Sequence, residues 1–353
     1  MRRRFRIPWL LPIIALLMFG LLAPPGTALG PFVPMVAPLL YAGDASLGSG
    51  CSPNKSALIL AGCGTPDDPY VLENIEIVFR ELLVPALEFR DTTKHVVVRN
   101  VFVHDIPYIG IMVNGDNVTL DSVVVARGGS SGIKIGAAHM VSNVGLHGSI
   151  VIDNVATGVS VDQGSNLSVL GSRVQRNADG INIGSATAPI TIKNNDVSDN
   201  RRNGIYIHNC CGSGGAITID DNVIAGNSQY GILVSDTIGM PFHGNDIEGN
   251  ALGGLRIQDG STFNVTDNWW GAADGPSGIG TGSGQSITKT GGTVLWDPYL
   301  TMPNPSAGPS APFCTFMVHA YECALQGPSW WTAAWASAAV PVSGVARQAS
   351  GRV

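Results

Sequence analysis

The stretch Gly180-Ile181-Asn182-Ile183, followed by Gly204-Ile205-Tyr206-Ile207 and Gly231-Ile232-Leu233-Val234, decides the fold. In each, a glycine precedes alternating apolar residues. The same phrase occurs earlier as Gly110-Ile111-Met112-Val113, Gly132-Ile133-Lys134-Ile135 and Gly158-Val159-Ser160-Val161, and later as Gly254-Leu255-Arg256-Ile257. The intervals are 22, 26, 22, 24, 27 and 23 residues. A repeat of that length marks a solenoid, whose units bury their apolar faces only against their neighbours. Within the unit the period is two and β-branched residues fill alternate positions, so the unit is a strand. The reading is all-β: a parallel β-helix of roughly nine coils over residues 66–300, with Ile183, Ile207, Val234 and Ile257 stacked inside.

Asparagines recur at two fixed offsets. One column reads Ser172, Asn195, Asn222, Asn245 and Asn268; the other reads Asn177, Asn200, Asn227 and Asn250. Coils stack at the spacing of paired strands, about 4.8 Å, so a corner amide can reach its counterpart one coil away. Tolerance of the left-handed conformation also suits asparagine to a corner. The first column is expected to form an internal ladder. Coils before residue 160 are less regular, and the register of Asn143 and Asn154 stays open.

This stretch resembles the right-handed parallel β-helix repeat proteins. That broad group holds polysaccharide lyases, many surface proteins and the periplasmic factor for copper-site maturation in nitrous oxide reductase. Pro69-Tyr70-Val71-Leu72-Glu73-Asn74-Ile75 looks like the entry coil of such domains. Asn268-Trp269-Trp270-Gly271, with Gly275-Pro276 and then Trp296-Asp297-Pro298-Tyr299-Leu300, looks like their closing segment. The resemblance covers about residues 51–300. It is specific for fold and says little about activity, because one scaffold carries many functions.

Composition agrees with an exported, loop-rich β protein: 45 Gly and 22 Pro in 353 residues, 44% apolar and 13% charged. Arg2, Arg3, Arg4 and Arg6 precede an apolar run from Ile7 to Ala23 and small residues at Gly26-Thr27-Ala28. That order is a secretory signal peptide over 1–30, the alternative being a membrane anchor. Its removal takes four of 20 basic residues and no acidic ones, leaving 16 against 26, a net of −10. So acidic a chain is unsuited to nucleic acid, and to uronate glycans without a bridging cation.

Residues 31–65 read as a linker and cap. Cys51 and Cys63, in an oxidising compartment, are expected to pair across it. Cys210-Cys211, with His208 nearby, admits a vicinal disulfide, free thiols or a soft-metal site. After Leu300 the repeat stops. Pro303, Pro305, Pro309 and Pro312 open a Pro-rich linker, and Trp330, Trp331 and Trp335 lie in an Ala-rich tail ending at 353. That tail reads as poorly ordered, with a weak membrane anchor as the alternative.

Chemistry is harder to find. Lyases on this scaffold need a base and often Ca²⁺ on several carboxylates; hydrolases need paired carboxylates. Asp220, Asp221 and Arg201 are the candidates, but the aspartates fall at turn positions, where backbone reasons suffice. The Gly204–Gly231 coil carries an insertion, Asn209-Cys210-Cys211-Gly212-Ser213-Gly214-Gly215. Beside it Asn182, Tyr206, Tyr230 and Arg256 suit a sugar ring, and equally suit plain solvent-facing positions. The expectation is a secreted, periplasmic or cell-surface module that is not catalytic and needs no cofactor, presenting its solenoid face to glycan or a protein partner. A uronate-active lyase, epimerase or hydrolase using Ca²⁺ is the alternative; a copper-maturation-like periplasmic factor is a second.

Overall fold

The computed structural model describes residues 32–48, 50–51, 58, 61–80, 82–187, 189–210, 217–237 and 239–310. Strands account for nearly all its regular structure; the helix Asp44–Leu47 is a single turn. The strands stack in parallel into two long sheets, one of twelve strands (sheet I) and one of eleven (sheet II). In sheet II the nine strands from Leu87–Arg90 to Gly284–Lys289 bound eight turns of a right-handed solenoid.

One coil shows the plan. Ile181–Ile183 lies in sheet II, Ile190–Lys193 in sheet I, and Val197 faces inward from a short third side before the chain returns to Gly204. The third side first separates from sheet I at Val96–His104. Its start pairs with Val118–Asp121 and its end with Val124–Ala126. Alternation sets inside from outside: Ile183, Ile207, Val234 and Ile257 occupy one register column and are fully buried. Each buried aliphatic of this size contributes about 1.5–3 kcal/mol.

Both ends go beyond the limits set by the repeat. Val33–Met35 pairs with Ile75–Ile77 and Leu39–Ala42 with Leu87–Arg90, so the segment 31–65 supplies a level of its own. The Cys51–Cys63 disulfide is formed beside it, a bond characteristic of oxidising compartments. At the other end, residues 301–310 fold back onto the coils through Asn304. The leader and the tail beyond 310 lie outside the described residues.

The corners hold buried amides. Asn195 Nδ2 donates to Asn222 Oδ1 at 2.9 Å, Asn222 Nδ2 to Asn245 Oδ1 at 2.9 Å, and Asn245 Nδ2 to Asn268 Oδ1 at 2.9 Å. Each oxygen also accepts the backbone N–H of the previous level, and each Nδ2 donates to a carbonyl such as Val169 O or Ile192 O. Asn154 heads the second column, running through Asn177, Asn200, Asn227 and Asn250. Asn143 belongs to a third, exposed column with Asn117 and Asn166.

One expectation is corrected. The ladder asparagines are not the left-handed residues. Positive φ falls one position earlier, at Asn194, Asp221, Gly244 and Asp267, and again at Arg176, Asp199, Gly226 and Gly249. That residue turns the chain so that the next one directs its N–H and side chain into the stack.

Candidate functional site

Outward positions of sheet II form a column in strict register: Met112, Lys134, Ser160, Asn182, Tyr206, Leu233, Arg256 and Thr288. Parallel pairing at equal parity dictates this, since each level from Met112 to Arg256 presents the same offset from its glycine. Two residues along each strand a second column carries His208 and, in register with it, Ser235 and Gln258.

Asn182 and Tyr206 meet through a residue that the sequence reading had set beside the cysteines instead. The His208 ring stacks on Tyr206 at 4.7 Å between centroids, and His208 Nε2 lies 3.1 Å from Asn182 Oδ1. Tyr206 Oη lies 3.5 Å from Ser235 Oγ. The result is a half-buried ledge of phenol, imidazole, amide and hydroxyl. Alternation along Ile205-Tyr206-Ile207-His208 was the signal that could have placed His208 outward. One level down, Ser160 Oγ donates to Asp162 Oδ1 at 3.0 Å, and Lys134 Nζ pairs with Asp162 at 3.0 Å.

Tyr230 and Arg256 make a separate pair, the guanidinium 5.8 Å from the ring centroid. Tyr230 stands three residues before Leu233, about 10 Å along the strand, so it does not join the Tyr206 ledge. Asn209 and Cys210 continue from His208, and Cys210 is disulfide-bonded. Residues 211–215 lie outside the described residues.

Asp220, Asp221 and Arg201 do not converge. Asp220 ends a sheet I strand, accepts the His243 N–H at 3.2 Å, and is pushed above the usual carboxylate range by burial. Asp221, at the corner, pairs with Lys193 at 3.1 Å and accepts from Asn304 Nδ2 at 3.0 Å. Arg201 caps the carbonyls of Asn154 and Val155, both at 2.8 Å, across the other corner.

A charged column also escaped the sequence reading. The left-handed positions Asp105, Arg127, Asp153, Arg176 and Asp199 alternate in sign from level to level. Arg127 grips Asp105 with two bonds of 2.6 Å, and Arg176 grips Asp153 at 2.8 and 3.0 Å. The Arg127 guanidinium, helped by His104, holds Asp105 far below the usual carboxylate range. Asp105, Arg127 and Asp153 line an open depression of about 460 Å³, and their charges are already matched within the column. Among the described residues no helix is long and apolar enough to cross a membrane.

The sequence profile of the right handed beta helix region matches residues 87–247 and 190–294. No curated protein has a matching sequence. Among solved structures, a periplasmic alginate epimerase is 17% identical with a TM-score of 0.46, over 64% of this chain and 50% of its own. A pectate lyase is 14% identical with a TM-score of 0.43, over 75% and 78%. The A-module of a mannuronan C-5 epimerase from Azotobacter vinelandii is 18% identical with a TM-score of 0.42, over 76% and 90%. The chain spans half the length of the first of these, and the likeness to all three is one of fold.

Proposed function

Because this chain belongs to the right-handed β-helix family, we propose that it is a secreted, periplasmic or cell-surface module whose sheet II face binds carbohydrate or a protein partner without catalysis. The observation that supports this reading is the joined ledge of Asn182, Tyr206, His208 and Ser235. A sugar ring offers an apolar face to the phenol and hydroxyls to the amide and imidazole. Strands, rather than loops, hold these groups, so little ordering is required on binding. One stack and a few rim hydrogen bonds, each worth about 0.5–1.5 kcal/mol, give affinity near the millimolar range. Several chains on one surface would raise it.

The test is incubation of the purified protein with pectate, alginate and neutral glycans, with and without Ca²⁺. Binding that disappears in Tyr206→Ala supports the ledge. Binding that survives places the ligand elsewhere. Release of unsaturated uronate or new reducing ends would overturn the non-catalytic part and return the choice to the enzyme alternative.

A further inference from the structure

The outward face of sheet I holds one pair of side chains placed for chemistry. In the strand Val141–His147, Val144 and Leu146 are buried in the core, which turns Gly145 and His147 outward. In the next level Ser168 is in register with Gly145, and Leu170 with His147. The His147 ring leans back over Gly145, and its Nε2 lies 2.9 Å from Ser168 Oγ. Glycine permits this approach. A Cβ at Gly145 would stand 2.7 Å from His147 Nε2 and 3.2 Å from Ser168 Oγ. Glycine inside a strand weakens it, and is used where another group must come close.

The surroundings suit an imidazole that accepts a proton. Burial holds His147 below the usual histidine range, against the opposing pull of Asp121, so the ring is neutral at neutral pH. Asp121 is the register partner of His147 on the preceding level, where paired strands lie about 4.8 Å apart. A neutral ring with its proton on Nδ1 leaves Nε2 to accept from the Ser168 hydroxyl. On the other side of Ser168, its register partner Thr191 supplies a further hydroxyl. The parallel ladder takes up the backbone N–H groups of these strands, so Thr191 is the donor left beside Ser168 on this face.

We propose that Ser168 and His147 form a nucleophile–base pair that hydrolyses carboxylic esters on the sheet I face. His147 Nε2 takes the Ser168 proton as Oγ bonds to the ester carbonyl carbon, and the Thr191 hydroxyl donates to the developing oxyanion. The bond from that carbon to the alkoxy oxygen then breaks, and the alcohol leaves with the proton held on His147. Water attacks the acyl-serine and gives a proton to His147. The carboxylic acid departs and Ser168 Oγ regains that proton. Ester and water become acid and alcohol, with no other reactant. An ester is the substrate class, rather than an amide, because one hydroxyl is a weaker oxyanion donor than paired backbone N–H groups. This goes beyond the binding reading of sheet II: the two sites lie on different sheets, and either can fail alone.

Two measurements on the full chain test it. Labelling with diisopropyl fluorophosphate, which phosphorylates an activated serine and releases fluoride, needs no substitution. Peptide mass spectrometry is expected to place the label on Ser168 in the parent, and none in His147→Gln. A hydrogen bond that merely ties two coils leaves Ser168 unlabelled, so no label, or label only on other residues, overturns the proposal. Hydrolysis of p-nitrophenyl acetate then reads turnover. Ser168→Ala and His147→Gln are each expected to lower kcat/KM by about a hundredfold or more. Hydrolysis that persists in Ser168→Ala comes from imidazole alone and overturns the nucleophile. Should a variant fail to fold, the labelling of the parent decides.

Discussion

At the corner before the third side, the two halves of the solenoid satisfy the same backbone groups by different means. From Asn195 to Asn268 the corner is an amide stack, each side chain both accepting and donating. In the earlier levels Val123 N donates to Ser149 Oγ and Ser149 N to Ser172 Oγ, both at 3.1 Å, and the chain of side chains ends at Val123. The outer surfaces differ in parallel. The late half is polar, with Gln175 Nε2 donating to Asp196 Oδ2 at 2.8 Å and to Ser198 Oγ at 2.9 Å. The early half is the apolar patch of Val124 and Ile150. One half is held from within its corners, where an amide offers two donors and an acceptor. The other makes fewer corner bonds and gains burial on both sides of its third-side strands.

That contrast can be broken most directly at Asn222. Asn222→Leu leaves Asn195 without its acceptor and Ile192 O without its donor. At about 1–3 kcal/mol for each buried unsatisfied group, a loss of about 2–6 kcal/mol is expected. Chemical denaturation measures it, and an unchanged midpoint would mean the stack contributes nothing. Ser149→Ala removes one acceptor, that of Val123 N, so about 1–3 kcal/mol is expected. A loss equal to that of Asn222→Leu would erase the distinction between the halves.

The next difference is in acid response. In the early half Asp105 is depressed by Arg127, so its stabilisation is present above the unfolded carboxylate range and lost as pH falls below it. In the late half burial raises Asp246, which therefore costs stability at neutral pH and regains it as pH falls into that range. Denaturation midpoints between pH 7 and 3 should fall less steeply in Asp105→Asn than in the parent. Asp246→Asn, able to keep the acceptor for Asn304 N, should match or exceed the parent at pH 7 and lose that advantage toward pH 3. Parallel profiles for the two variants would refute the assignment. Smallest is Tyr206→Ala on the half-exposed sheet II ledge, where stability should change by about 0.5 kcal/mol or less. A larger loss would make the ledge part of the framework rather than a binding surface.

Much of the fold was legible in advance. The Gly-Ile-x-Ile phrase fixed the strand, and the two Asn offsets marked the corners, because both recur with the coil. The site was legible only in part. Asn182 and Tyr206 were identifiable as outward neighbours, whereas His208 was associated with Cys210 through its nearness in sequence. The left-handed residue was placed one position late, since asparagine fills both the turning and the stacking positions and composition alone does not separate them.

Sequence by itself determined parity, which side chains lie inside and which outside. Every level pairs in parallel with the next, and that choice is repeated at each turn. Tertiary structure alone decided which outward groups meet. Register brings Asn182 beside Tyr206 and His208, but side-chain direction sends Tyr230 to Arg256 instead. It also decided what lies over the third side, because contacts such as Asn304 with Asp246 join residues far apart in the chain. No periodicity records such a contact; it exists only once the coils are stacked.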